Sequence, residues 1–209
     1  MLLAGISLAL GLLAHAQKDK GHLFNQSYTG EYNSRVAFPI GGLGAGMFCL
    51  EGTGAISHMS VRNNPDLFNE PLIFAAISIK DMPGSARVLE GPVPGWKKYG
   101  QWGDGRGAEG TSFGLARFRE AWFRARFPFG EVGLRDDKLP LAVTITGWSP
   151  FIPTDADNSS LPVGGIEYRF TNTSVAASKI STAVCPSGSG AGWSPTTGRN
   201  TSTGTPIPE

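Results

Sequence analysis

Several stretches of the chain alternate apolar and polar residues with a period of two. Across residues 72–80, Ile77 and Ile79 share one face while Ser78 and Lys80 take the other. Ala121, Phe123, Ala125 and Phe127 alternate with Trp122, Arg124 and Arg126. Leu141, Val143 and Ile145 alternate with Ala142, Thr144 and Thr146, and Ile166, Tyr168 and Phe170 with Glu167, Arg169 and Thr171. Successive side chains of a strand point to opposite faces, so this pattern predicts strands with one face buried. Gly, Pro, Asn or Asp bounds each run, as turns require. Beyond residue 16 no stretch of twelve shows an apolar stripe at i, i+3, i+4 and i+7. The expected fold is all-β, an antiparallel sandwich, because short half-polar strands close most simply that way.

Composition supports many turns and no helical bundle: Gly (29) and Pro (15) together make about a fifth of the 209 residues. Eighteen Lys and Arg against 17 Asp and Glu leave a formal charge of +1, without the basic excess of a nucleic-acid binder. Residues 2–14 form an uncharged, mostly apolar run ending at Ala14-His15-Ala16, with Lys18, Asp19 and Lys20 following. Small residues at both ends of that triplet fit a signal-peptidase site, and the run falls short of the about 20 residues of a membrane-spanning helix. The expectation is a signal peptide over 1–16, hence an exported protein, and no later transmembrane segment. Residues 17–184 form the expected sandwich domain. In residues 185–209, Gly, Pro, Ser and Thr supply 18 of 25 positions, too few apolar groups to offset ordering entropy, so this tail is expected to be disordered.

Candidate chemistry is sparse. The order Phe38-Pro39-Ile40-Gly41-Gly42-Leu43-Gly44-Ala45-Gly46 invites a nucleotide-loop reading but matches neither glycine fingerprint, and strand-like residues follow it. A tight backbone corner, where side chains would clash, is expected instead. Glu51, Asp66, Glu70, Glu120, Asp155 and Asp157 are the carboxylates a glycosidase reading would draw on; as charged residues, each is expected to be solvated or to cap a turn. Cys49, in an apolar segment, is expected to be a buried inert thiol, unbridged to Cys185. His15, His22 and His58 are too dispersed for a zinc site, Asp155-Ala156-Asp157-Asn158 lacks the calcium-loop pattern, and no cofactor or metal is expected. The long connection over 91–116 carries Trp96, Tyr99, Trp102 and Phe113. Such aromatics either pin a loop to its own domain or stack on a ligand; Trp96, Tyr99 and Trp102 are the candidate carbohydrate contacts.

Several contiguous stretches resemble the N-terminal domain of glycoside hydrolase family 116, the β-glucosidases and β-xylosidases that include the non-lysosomal glucosylceramidase. They are the Gly-rich start over 37–48, then 54–63, 68–71, Leu89-Glu-Gly-Pro-Val-Pro-Gly-Trp96, 126–129, Thr146-Gly-Trp-Ser-Pro-Phe-Ile-Pro-Thr-Asp155 and Asn158-Ser-Ser-Leu-Pro-Val163. The resemblance spans about residues 28–180. It implies a two-domain retaining enzyme in which a non-catalytic N-terminal β-sandwich packs on a C-terminal (α/α)6 barrel that carries the catalytic carboxylates. No catalytic residue is therefore expected in this chain. The partners implied are that barrel and a carbohydrate or glycoside, with no nucleic acid. After about residue 180 the chain departs from the family pattern, which suggests an incomplete sandwich truncated near 180–185, weakly stable and without glucosidase turnover alone. A free-standing carbohydrate-binding sandwich and a functionless gene remnant are the alternatives.

Overall fold

The computed structural model describes residues 25–62, 64–67, 69–99, 112–174 and 180–185. A 3-10 turn at Gly30–Asn33 leads into β1 (Ala37–Ile40), β2 (Gly46–Glu51), β3 (Ile56–Val61), β4 (Phe74–Ile79) and β5 (Arg87–Val88). A short helix α1 (Gly95–Tyr99) precedes β6 (Glu120–Arg126), β7 (Phe129–Arg135) and β8 (Leu141–Trp148). Then follow α2 (Ala156–Ser159), β9 (Gly165–Asn172) and β10 (Ile180–Cys185). Among the described residues no helix is long and apolar enough to cross a membrane. The signal peptide expected over 1–16 and the tail beyond Cys185 lie outside the described residues.

The sandwich is all-β and antiparallel, with one layer a meander in the order β6-β7-β8-β9. Two three-stranded sheets, β1-β2-β3 and β10-β4-β5, contribute to the same core. That core joins Ile40 and Leu50 of the first, Ala75, Ile77 and Ile79 of the second, and Phe123, Val132, Leu134, Val143 and Ile145 of the meander. The predicted alternation holds: Leu141, Val143 and Ile145 are buried in β8, and Ala75, Ile77 and Ile79 in β4. Ala125 and Phe127 depart from their run: Ala125 is exposed near the end of β6, and Phe127 is exposed in the turn after it.

Strand β7 has no clean period because glycine replaces side chains on both faces. A Cβ at Gly130 would press into the Phe38 ring, and one at Gly133 would enter the Trp122 indole. Gly165 on β9 lies beneath Trp148 in the same way. These glycines let rings lie flat on the sheet, at the cost of the alternation that would announce the strand. Polar links tie the layers. Arg87 Nε on β5 donates to Asp136 Oδ2 just beyond β7 at 2.9 Å. Asn33 Nδ2 donates to the Gly52 carbonyl at 2.7 Å and to that of Ala121 at 3.3 Å.

Ile145 is fully buried in the core that the three sheets share. Ile145→Ala is expected to destabilise the domain by about 2–5 kcal/mol in urea unfolding. Arg169→Ala, on the solvent side of β9, is expected to stay within about 0.5 kcal/mol.

Candidate functional site

The Gly-rich segment makes the corner from β1 to β2, and its sequence dictates a close approach. A Cβ at Gly42 would collide with the Leu161 carbonyl oxygen, and one at Gly46, whose φ is +136°, would lie 2.6 Å from the Ser60 carbonyl oxygen. Three corner amides are already used inside the fold. Gly41 donates to Ser149 Oγ (3.1 Å), Leu43 to the Ser159 carbonyl (2.9 Å) and Ala45 to that of Gly42 (3.2 Å). The expected tight corner is what forms, since amides engaged in this way cannot cradle a phosphate.

These bonds bring segment 41–46 against 149–151 and 159–163, more than a hundred residues further along the chain. Two adjoining cavities of about 250 and 280 Å³ result, both lined by Gly41, Gly46, Met47 and Ser60. Phe127 and Phe151 wall the first, packed edge to face with centroids 4.8 Å apart, and Phe48 and Val163 wall the second. Leu43 (54% exposed) and Val61 (62%) stand at the same end of the domain. The chemistry of this face is apolar, with Arg62 at its edge.

The acidic residues divide. Asp66, Glu120 and Asp157 are exposed, and Asp155 caps α2 by accepting from the Asn158 amide at 3.0 Å, both as expected. Glu51 and Glu70 correct that expectation, because their side chains are buried about Lys97. Lys97 Nζ on α1 donates to Glu51 Oε1 at 2.5 Å and to Glu70 Oε2 at 3.0 Å. Glu90 and Arg117 form a neighbouring pair at 3.0 Å. Burial pushes the Glu70 carboxyl up to about 7 against the opposing pull of Lys97, and burial likewise raises Glu90 against Arg117.

The two oxygens on Lys97 lie within about 5.5 Å of each other, a separation a retaining glycosidase would use. Lys97 fills the gap between them, however, and the adjoining cavity is only about 40 Å³, against roughly 300 Å³ for the smallest ordinary ligand pockets. No glycosyl ring fits there. Sequence reasoning missed this cluster because a lysine within Trp96-Lys97-Lys98-Tyr99 carries no local sign that its ammonium will be buried.

The candidate sugar contacts are separated in fate. The Trp96 indole N–H donates to the Ser34 carbonyl at 2.9 Å, and the Arg35 guanidinium lies 4.1 Å from its ring centroid, so Trp96 is tied to its own domain. Tyr99 is 87% exposed at the end of α1, and Trp102 lies outside the described residues. Two other tryptophans, Trp122 and Trp148, lie flat over Gly133 and Gly165 on the outer face of the meander. The sequence signal for them was present in the outward phase of β6 and β8, but their glycine partners emerge only from the register. Cys49 is a free, buried thiol, and burial together with Glu51 pushes it up to about 11, as its apolar segment implies. Among the described residues no three His, Cys, Asp or Glu side chains are grouped to hold a metal ion.

Comparison with known proteins fits this geometry. The sequence model of the family described as beta-glucosidase 2, glycosyl-hydrolase family 116 N-term matches residues 37–206. The matched span opens at the strand leading into the Gly-rich corner and includes the Gly/Pro/Ser/Thr tract that follows Cys185. No match was found among curated proteins. With the match covering most of its length, and with its first matched strand leading into a glycine corner built for close packing, this chain belongs to the glycosyl-hydrolase family 116 N-terminal domain family.

Proposed function

We propose that the chain is the non-catalytic β-sandwich domain of an exported, retaining β-glucosidase-type glycoside hydrolase, and that it seats a C-terminal (α/α)6 catalytic barrel. The observation that carries this reading is the convergence on one apolar face of segment 41–46 with 149–151 and 159–163, which lie more than a hundred residues further along the chain. Exposed apolar surface with two adjoining cavities is what a permanent domain contact covers. The apolar run over 2–14 before Ala14-His15-Ala16 supports export.

The test supplies a family 116 catalytic barrel as a separate polypeptide and measures its capture by this chain, together with hydrolysis of an aryl β-glucoside. Leu43→Asp and Val163→Asp, both at exposed positions, are expected to weaken capture at least about tenfold, because each places a charge in a desolvated contact. Turnover is expected to require the barrel. Unchanged capture by both variants sinks the assignment of this face, and turnover by the chain alone sinks the non-catalytic reading.

A second reading, a carbohydrate-binding face, is favoured by Trp122 and Trp148. Both indoles lie flat on the outer sheet face, and the row between them carries Arg124, Glu131, Thr146 and Glu167 in direct register. Flat rings meet the C–H face of a pyranose, and the polar row meets its hydroxyls. Retardation of the chain in gels containing β-glucan is expected to disappear with Trp148→Ala and to survive Tyr99→Ala. Retention by Trp148→Ala equal to that of the parent chain rules this face out.

A further inference from the structure

The cluster about Lys97 leaves one group unanswered. Lys97 Nζ serves Glu51 Oε1 and Glu70 Oε2, while Arg117 Nε serves Glu90 Oε2. The other end of the Arg117 guanidinium donates to the carbonyls of Ser112, Phe113 and Leu115. Among the described residues, Glu70 Oε1 has no hydrogen-bond partner, although its side chain is only 6% exposed. An unpaired buried acceptor is costly, so this oxygen calls for a donor.

Three constraints define that donor. The cavity lined by Glu51, Glu70, Glu90, Lys97 and Arg117 measures about 40 Å³, enough for a water-sized group, which needs roughly 10–15 Å³, and far too little for a sugar. Three carboxylates against two cations leave the ionised cluster one positive charge short. The grouping is not one that holds a metal among the described residues, and Lys97 already stands between two of the carboxylates, so a cation that answers Glu70 Oε1 carries N–H donors.

We infer that the cavity beside Glu70 is a binding site for one ammonium-type cation, either the free ion or the head of a lysine side chain. The cation donates to Glu70 Oε1 and neutralises the cluster. A proton on Glu70 competes for the same oxygen, so binding requires the carboxylate and strengthens as pH rises. The charged groups facing Glu70 are Glu51 from β2, Lys97 from α1, Glu90 beyond β5 and Arg117 ahead of β6, and Tyr168 on β9 couples to Glu90.

The linkage has a definite sign. Folded Glu70 keeps its proton up to about 7, whereas the unfolded chain releases it near 4.5. Between these values the folded state binds more protons, so the Glu70 contribution to stability falls as pH rises and its penalty is complete above about 7. An ammonium-type cation removes that penalty.

The experiment is thermal unfolding of the full 209-residue chain in ammonium, potassium, tetramethylammonium and n-butylammonium chlorides at equal ionic strength. Near pH 8, ammonium is expected to raise Tm over potassium by roughly 2–6 °C, with the gain absent near pH 5 and absent in Glu70→Gln. Tetramethylammonium, too large and without N–H groups, is expected to behave as potassium does. A matching gain with n-butylammonium assigns the site to a tethered lysine head, and a gain with ammonium alone assigns it to the free ion. Equal Tm in ammonium and potassium, or a gain that persists in Glu70→Gln, overturns the inference; the former outcome leaves water as the occupant. Relaxation of 15N-labelled ammonium gives an independent readout on the parent chain: acceleration by the protein near pH 8 that fades near pH 5 supports the site, and unchanged relaxation overturns it.

Discussion

The close approach of β1 and its glycine corner to the inner face of the meander is the constraint on which the rest of the domain depends. It exists because Cβ atoms are missing where the surfaces meet. Ile40 and Leu50 fill the space above Gly147, Phe38 lies on Gly130, and Ile40 and Phe48 press on Gly164. Interiors pack to the density of crystals, so a methyl group at any of these points would push the layers apart and break contacts well beyond it. The same approach places the corner against 149–151 and 159–163, which creates the apolar face and its two cavities. Core and candidate interface are therefore two consequences of one packing decision.

Electrostatics adds cross-links that burial alone would not specify. Arg87 and Asp136 join β5 to the turn after β7, with the Asp136 carboxylate fully buried and also accepting from the Lys138 amide. Lys97 fastens the short helix α1 to β2 and to the segment entering β4. Removing charges from water costs several kcal/mol per ion, and such pairs repay that only when their remaining oxygens are satisfied. Asp136 meets this condition. Glu70, with one oxygen unpaired among the described residues, does not, and burial raises its proton affinity against the pull of Lys97.

Legibility varied by element for definable reasons. Strand β8 could be read directly because Val143 and Ile145 both face the core while Thr144 and Thr146 face out. Strand β7 could not, since Gly130 and Gly133 give way to rings from other strands. The corner over 41–46 was readable as a place where side chains clash, although not as the wall of an apolar face. The aromatic loop pointed to Trp96 as a sugar contact, but a hydrogen bond to Ser34 and a stacked guanidinium hold it to its own domain. Trp122 and Trp148 drew no such attention, because the glycines that let them lie flat are on neighbouring strands.

By itself, the sequence determined the all-β class, most strand phases, the tight glycine corner, the inert Cys49 and the likeness to family 116. Each of these follows from local period, local composition or a contiguous motif. The tertiary structure alone decided which glycine lies beneath which ring, and that Glu51 and Glu70 meet on Lys97 across 46 and 27 residues of chain. It alone brought segments 41–46, 149–151 and 159–163 into one face. A strand's alternation states which side a residue faces; what waits on that side is set by the register and by the layer packed opposite, and neither is written in the local pattern.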